Sequence, residues 1–233
     1  MTKLEFFNKC KENNLILNEE QLIQLHQYFL MLVETNKVMN LTGITEENEV
    51  YEKHFYDSLT FAFELDLKNK KIVDIGTGAG FPGLVLAICY PESEITLVEP
   101  LTKRCNFLES VVSSLKLKNV IIINKRSEEL TNYKEYFDIA TARAVARLNI
   151  LLELIMPLVK INGLFVALKG RQGEEEINEA KNALFQLNSK IIKVQKLNLF
   201  TDNDTRINIF ISPEKKISDK YPRNYSQIKK KPL

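Results

Sequence analysis

The sequence predicts an α/β fold: a parallel sheet covered by helices on both faces, with a helical extension in front of it. Three observations carry this reading. Through residues 1–68 apolar side chains recur at three- and four-residue steps. From residue 70 short apolar runs take turns with helical stretches, as in βαβ units. At 233 residues, 45% apolar and 27% charged, the chain has the composition of an ordinary globular protein and enough length for a sizeable core.

The extension rests on two periodic faces. Leu22, Leu25, Phe29, Leu32, Val33 and Asn36 fall on one side of a helix, and Phe55, Leu59, Ala62 and Phe63 on a second. Between them Asn40-Leu41-Thr42-Gly43 reads as a loop. Residues 71–75 form an apolar run ended by a glycine cluster, which suits a buried strand. Residues 81–88 read as a helix with Pro82 in its first turn, where a missing N–H costs nothing. Further strands are expected at 95–99, 120–123, 137–141, 164–168 and 207–211, and helices at 101–115, 148–159 and 174–187. The chain divides into a helical extension (1–68), a sheet domain (69–212) and a basic tail (213–233).

Several classes are excluded. Eight glycines rule out collagen, and three cysteines rule out a disulfide scaffold. That odd, sparse count suits a reducing cytoplasm, and the spacing is not that of metal ligands, so no metal is expected. No run approaches the roughly 18 apolar residues of a membrane span. Residues 1–5 turn charged too early for a secretory leader. The net charge is +2, but the tail holds seven Lys/Arg against Glu214 and Asp219. Such a tail suits nucleic acid, or is a solvated terminus.

In a parallel sheet ligands bind beyond the carboxyl ends of the strands, where strand order reverses, so the loops after strands are the places to look. The first is Asp74-Ile75-Gly76-Thr77-Gly78-Ala79-Gly80-Phe81-Pro82-Gly83. Its glycines permit positive φ and close ligand approach, and the following helix N-terminus adds unpaired N–H groups. Glu99 ends the next strand, placed to accept from ribose hydroxyls. The combination fits an adenosine-containing cofactor. Gly78-x-Gly80-x-x-Gly83 matches the dinucleotide fingerprint, while Asp74-x-Gly76-x-Gly78-x-Gly80 matches the S-adenosylmethionine loop of class I methyltransferases. A pyrophosphate sits poorly near a carboxylate, whereas an ammonium and a sulfonium gain from one, and Asp74 therefore favours the methyl donor. Tyr225-x-x-x-Lys229 has a dehydrogenase spacing but lies in the tail, away from the sheet.

The other loops carry a closer likeness. The donor loop, Asn40-Leu41-Thr42, His54-Phe55-Tyr56-Asp57-Ser58, Lys103-Arg104 with Phe107-Leu108, Arg126-Ser127-Glu128-Glu129, Thr141-Ala142-Arg143-Ala144-Val145-Ala146 and Ala167-Leu168-Lys169-Gly170 come in the order of the RsmG family, formerly GidB. The chain resembles that family from about residue 15 to residue 211. The resemblance implies a class I S-adenosylmethionine-dependent, Rossmann-like methyltransferase acting on guanine N7 in 16S ribosomal RNA, the family target being guanine 527 of the 530 loop. It implies that Gly76 and Phe81 line the methionine side of the donor pocket and that Gly78 also binds the donor. Glu99 would take the ribose, Ser127 and Glu128 would flank the adenine, and Arg143 would stand at the centre, binding the donor, positioning the reactants and helping to hold the RNA. Arg126, Lys169 and Arg206 would hold the RNA or small ribosomal subunit. A cytoplasmic monomer is expected. Lys220-Tyr221-Pro222-Arg223 resembles a tail that some members have.

Each residue has a plainer alternative. Arg126 and Arg143 could be surface charges, Arg206 could pair with Asp202 and Asp204, and His54 and Asp57 could tie the extension to the sheet. Guanine N7 has a free lone pair and no proton to lose, so attack on a sulfonium methyl needs positioning and no general base. Cys10, Cys89 and Cys105 fall in expected helices, against the cysteine chemistry of C5-pyrimidine methylation. Competing readings are a small-molecule methyltransferase, a cofactor-sensing RNA-binding protein and a nicotinamide oxidoreductase.

Overall fold

The computed structural model describes residues 1–200 and 204–233; Asp202 lies outside them. Helix α1 (Lys3–Glu12) starts at Thr2 and α2 (Glu19–Asn36) at Asn18, each through a capping box whose third helical residue, Glu5 or Gln21, bonds back to the cap. The stretch expected as a second helix is more unusual. Two short turns, α3 (Glu47–Glu49) and α4 (Asp57–Leu59), flank a π-helix over Val50–Tyr56. Such wide turns recur at functional sites because the extra residue re-aims the side chains that follow.

Seven strands form one sheet in the order β3-β2-β1-β4-β5-β7-β6. They are β1 (Lys71–Ile75), β2 (Glu94–Val98), β3 (Val120–Ile123), β4 (Phe137–Arg143), β5 (Val159–Lys169), β6 (Ser189–Asn198) and β7 (Thr205–Pro213). The first five pair in parallel, and β7 joins β5 and β6 antiparallel. Strand order reverses between β1 and β4, whose neighbours include Asp74 and Thr141, and the switch-point crevice opens beyond their carboxyl ends.

The helices between strands are α5 (Gly83–Cys89), α6 (Thr102–Ser114), α7 (Leu148–Ile155), α8 (Gly173–Glu179) and α9 (Lys181–Gln186), and α10 (Tyr225–Lys230) follows the last strand in the tail. Two of the helical runs expected from the sequence end or break early. The run 148–159 stops as α-helix at Ile155, passes through a 3-10 turn at Met156–Leu158 that contains Pro157, and is already strand at Val159. The run 174–187 is two helices that meet at Ala180.

One apolar cluster lies on each face of the sheet. On one side the N-terminal helices pack with α5 and α6 through Phe6, Leu25, Tyr28, Leu32, Phe55, Leu84, Val85 and Leu108. On the other, α7 and α9 pack with Phe165, Ile209 and the tail residues Ile217, Tyr221 and Ile228. The tail is therefore docked, which corrects its reading as a solvated terminus. Its anchor is Arg223, whose Nε and Nη2 donate to Oε1 (2.7 Å) and Oε2 (2.6 Å) of fully buried Glu153. A two-point, charge-assisted contact of this kind fixes direction as well as distance. The three cysteines are free and buried, two in helices α5 and α6 and one in α1.

Candidate functional site

The loop after β1 is shaped by three glycines at φ +67° (Gly76), +62° (Gly78) and +105° (Gly80), a region side chains rarely enter. Gly83 serves a different need: a Cβ there would meet Leu97 Cδ2 at 2.2 Å and Asp74 Oδ2 at 2.9 Å, so its absence lets α5 sit against the sheet. Asp74 turns inward. Its fully buried carboxylate accepts from Thr77 Oγ1 (2.6 Å), Gly83 N (2.9 Å) and Thr141 Oγ1 (3.3 Å). Burial pushes its pKa up to about 6 despite those bonds. This corrects the expectation that Asp74 faces a cationic ligand; it pins the loop and takes one N–H of the α5 N-terminus for itself.

Most loop amides are likewise committed. Gly76 and Thr77 donate to the Val98 carbonyl, Gly78 to Glu99, and Gly80 and Phe81 to the Thr77 carbonyl. A pyrophosphate needs such amides free, which weighs against a dinucleotide. Glu99, only 2% exposed, accepts from Gly78 N (3.0 Å) through Oε2 and from Leu101 N (2.9 Å) through Oε1. Arg104 Nη1 pairs with Oε2 at 3.6 Å, beyond hydrogen-bond distance, so each oxygen keeps a lone pair for a further donor. Beyond β3, Ser127 is buried and its Oγ lies 3.5 Å from Glu128 Oε2. Arg126 beside them is exposed, with its guanidinium 5.7 Å from the centre of the Tyr225 ring.

The helical extension closes over this loop. Tyr28 of α2 donates to the Ala79 carbonyl (2.6 Å), and His54 of the π-helix stacks on Phe81 with ring centres 4.4 Å apart. His54 Nε2 lies 2.8 Å from Thr42 Oγ1, which gives the Asn-Leu-Thr loop its role. Burial, helped by the neighbouring Arg143 charge, pushes the His54 pKa down to about 3, so the ring is neutral at physiological pH.

Arg143, the last residue of β4, reaches under the extension. Its Nη1 donates to Asp57 Oδ2 (3.0 Å) and the Lys53 carbonyl (3.2 Å), Nη2 lies 3.4 Å from His54 Nδ1, and the guanidinium stands 5.1 Å from the Phe81 ring centre. Arg206 of β7 donates from Nε to the other oxygen of Asp57 (3.1 Å) and from Nη1 to Asp204 (2.7 Å). One buried carboxylate on the extension thus orients two arginines from two strands. His54 and Asp57 do join the extension to the sheet.

Lys169 ends β5 at the same place, yet its ammonium is committed to Glu176 Oε2 (2.8 Å) and the Ala146 carbonyl (2.6 Å). Glu176 also accepts from Leu148 N (2.7 Å). Burial lowers the Lys169 pKa against the pull of Glu176. Arg143, Lys169, Arg206, His54, Asp57 and Val145 line one open cleft of about 540 Å³. Val145 is folded back over the donor loop, its Cγ2 2.7 Å from where a Cβ of Gly76 would be. The cleft therefore abuts the glycine loop, with Phe81 in contact with both halves. Arg126 is not among its lining residues. The sequence reading missed Glu176 as the partner of Lys169 and Val145 as the residue over Gly76. The first hides in a run of three glutamates and the second among small apolar neighbours.

A parallel β3-β2-β1-β4-β5 sheet with an antiparallel pair at its edge, a glycine loop off β1 and an acid off β2 defines the class I S-adenosylmethionine-dependent methyltransferase fold. Solved structures agree on the fold. M. jannaschii TYW2 in complex with AdoMet superposes with a TM-score of 0.58 at 16% identity, covering 73% of this chain and 79% of that one. A SAM dependent methyltransferase from Aquifex aeolicus gives 0.55 at 15% identity, covering 72% and 94%.

Sequence relatives narrow the class. Residues 21–205 match the GidB family, rRNA small subunit methyltransferase G. The ribosomal RNA small subunit methyltransferase G of Mycoplasma capricolum is 49% identical over 93% of this chain and 94% of its own length. That of Bacillus subtilis is 43% identical over 98% of each. The chain belongs to the rRNA small subunit methyltransferase G family.

Proposed function

We propose that this protein transfers a methyl group from S-adenosylmethionine to N7 of a guanine in 16S ribosomal RNA, within the small subunit or its precursor. The observation that carries the reading is the cleft at the β1/β4 switch point. There Arg143, held by Asp57 and His54 above Phe81, faces space that abuts the glycine loop.

The donor fits the residues present. Glu99 would accept from the ribose hydroxyls with the lone pairs that Gly78 and Leu101 leave open, and Ser127 and Glu128 would border the adenine. Gly76, Gly78 and Phe81 would form the methionine side, Gly78 having nothing nearer to its Cβ position than a carbonyl at 4.0 Å. When bound, the donor supplies an electrophilic methyl group on a sulfonium.

The protein's part is then to bring a guanine ring into line. Arg143 would donate to O6, which leaves the N7 lone pair free. Asp57 fixes the direction of that fork, and neutral His54 with Phe81 forms an apolar wall that restricts the ring's tilt. No side chain need take a proton, and the groups lining the cleft are otherwise engaged: burial keeps His54 from taking a proton, Asp57 is shared by two arginines and Glu176 holds Lys169 and Leu148 N. Lys169, committed to Glu176, sets the turn that carries Arg143 and Val145, while Arg206 and exposed Arg126 would meet phosphate. Three buried free thiols suit a reducing cytoplasm. Among the described residues no helix is long and apolar enough to cross a membrane.

Deleting the gene should remove one 7-methylguanosine from 16S ribosomal RNA, and the wild-type gene should restore it, where Arg143→Ala should not. Full methylation in the deletion strain would overturn the proposal.

A further inference from the structure

The tail is docked by its apolar and acid-paired residues, and this leaves a distinct set of charges outward. Tyr221 and Ile228 are buried, Arg223 is held by Glu153, and Nη2 of the same guanidinium donates to the Lys231 carbonyl (3.1 Å). That last bond fixes the chain just past the end of α10. Lys229, Lys230 and Lys231 are exposed and enter no ion pair among the described residues. Elsewhere in the tail Glu214 meets Lys190, and Asp219 meets Lys134 and Lys216, while Lys215 and Lys220 are exposed.

The same short helix begins at Tyr225, whose ring lies against the Arg126 guanidinium. Arg126 and its exposed neighbour Lys125 open the loop that carries Ser127 and Glu128. The tail thus carries three exposed lysines at the end of a short docked helix whose first residue meets the rim of the site. Basic residues on a backbone held by buried anchors present their charge with less ordering cost than a free terminus would. Charge of one sign on a fixed surface suits a polyphosphate backbone.

We propose that Lys229, Lys230 and Lys231, which follow the helix turn whose Tyr225 meets Arg126, form a second RNA-contact surface that grips ribosomal RNA phosphates flanking the target guanine. This rests on the proposed reaction. It predicts that the surface contributes affinity and salt dependence without touching the donor.

The test uses the full-length protein and its triple variant Lys229→Glu, Lys230→Glu, Lys231→Glu. These exposed changes leave Arg223, Glu153, Tyr221 and Ile228 in place, and the bond to residue 231 is to its backbone. Binding to protein-free 16S RNA and to small subunits is measured across a series of salt concentrations. The expected result is affinity lower by about tenfold or more at 0.1 M salt, with the slope of log affinity against log salt shallower by about 2, as for three lost phosphate contacts. The three corresponding Lys→Arg changes should keep the wild-type slope, and S-adenosylmethionine affinity should stay at the wild-type value in both variants.

Unchanged affinity and slope would overturn the proposal. So would a loss seen on small subunits but not on protein-free RNA, which would assign the row to a ribosomal protein. Wild-type methyl transfer to small subunits is run alongside. Transfer with an unchanged variant defeats the RNA-contact surface alone, whereas no transfer by the wild type defeats the reaction and the surface together.

Discussion

Asp57 is the residue on which the geometry of the cleft turns, and Asp57→Asn is the most informative single change. The substitution keeps size and one acceptor but removes the charge that two guanidinium groups share at 3.0 and 3.1 Å. The carboxylate is only 4% exposed, and the arginines are 15% and 18% exposed. Breaking a buried ion pair by removing one partner costs about 3–5 kcal/mol. The arginines keep some contact with water, which places the cost near the lower end, about 3 kcal/mol. For a protein of this size each kcal/mol moves the melting temperature by about 2–4 °C, so a fall of roughly 6–12 °C is expected.

Activity should fall further than stability explains. A reacting group displaced by about 1 Å can lose about 100-fold in rate, and Arg143 without Asp57 keeps only backbone and imidazole partners on the extension. Donor affinity should hold, because the Asp57 carboxylate bonds to Arg143 and Arg206 and, among the described residues, makes no hydrogen bond or ion pair to the glycine loop. The assay pairs thermal unfolding with methyl transfer to small subunits at a temperature where the variant is folded. A double-mutant cycle with Arg206→Met should give a coupling between about 0.5 and 3 kcal/mol. A variant that melts and turns over like the wild type would refute the shared-carboxylate account.

Three further outcomes are expected. Gly83→Ala must place a Cβ 2.2 Å from Leu97 and 2.9 Å from the Asp74 carboxylate; overpacking of this kind costs about 1–3 kcal/mol, and thermal unfolding should show it. Glu99→Gln should weaken donor binding by about 10- to 100-fold, the range for losing a hydrogen bond to a charged group, with calorimetric titration as the check. His54→Asn should change the pH dependence of stability. As pH falls below about 6.5 the unfolded chain gains a proton at His54 that the folded chain refuses until about pH 3, so folding loses about 1.4 kcal/mol per pH unit. Asp74, raised from 3.8 to about 6, works in the opposite sense between those values, because there the folded chain holds the proton. The two nearly cancel in the wild type, so the stability difference between variant and wild type should grow in the variant's favour as pH falls through that window. A difference that stays flat with pH would contradict a neutral, buried His54.

The order and type of most elements were legible because their patterns are strong. The five parallel strands are nearly continuous apolar runs, and the glycine loop carries its positive φ angles in its composition. Strand β6 was not legible. Lys190, Lys193 and Lys196 stud it, and a register shift between Ile191 and Lys193 breaks the two-residue period. Both are ways in which an edge strand resists pairing with another chain. The tail misled for a related reason: its net charge masks Tyr221 and Ile228, and nothing in sequence links Arg223 to Glu153, 70 positions away.

At the site, residue types after each strand pointed to the right loops, but side-chain direction did not follow. Asp74 faces the core because three donors converge on it there, and Lys169 is drawn to Glu176 instead of open solvent. That one carboxylate of the extension would hold arginines from two strands depends on a π-helical turn, which apolar periodicity does not encode.

The most direct test of the account uses purified protein, S-adenosylmethionine labelled in its methyl group, and small subunits from cells lacking this protein. Nuclease digestion of the product should release the label as 7-methylguanosine from a single 16S position, and Arg143→Ala should abolish that release while still binding donor. Label recovered in another nucleoside, spread over many positions, or transferred as fast by Arg143→Ala would contradict the central claim.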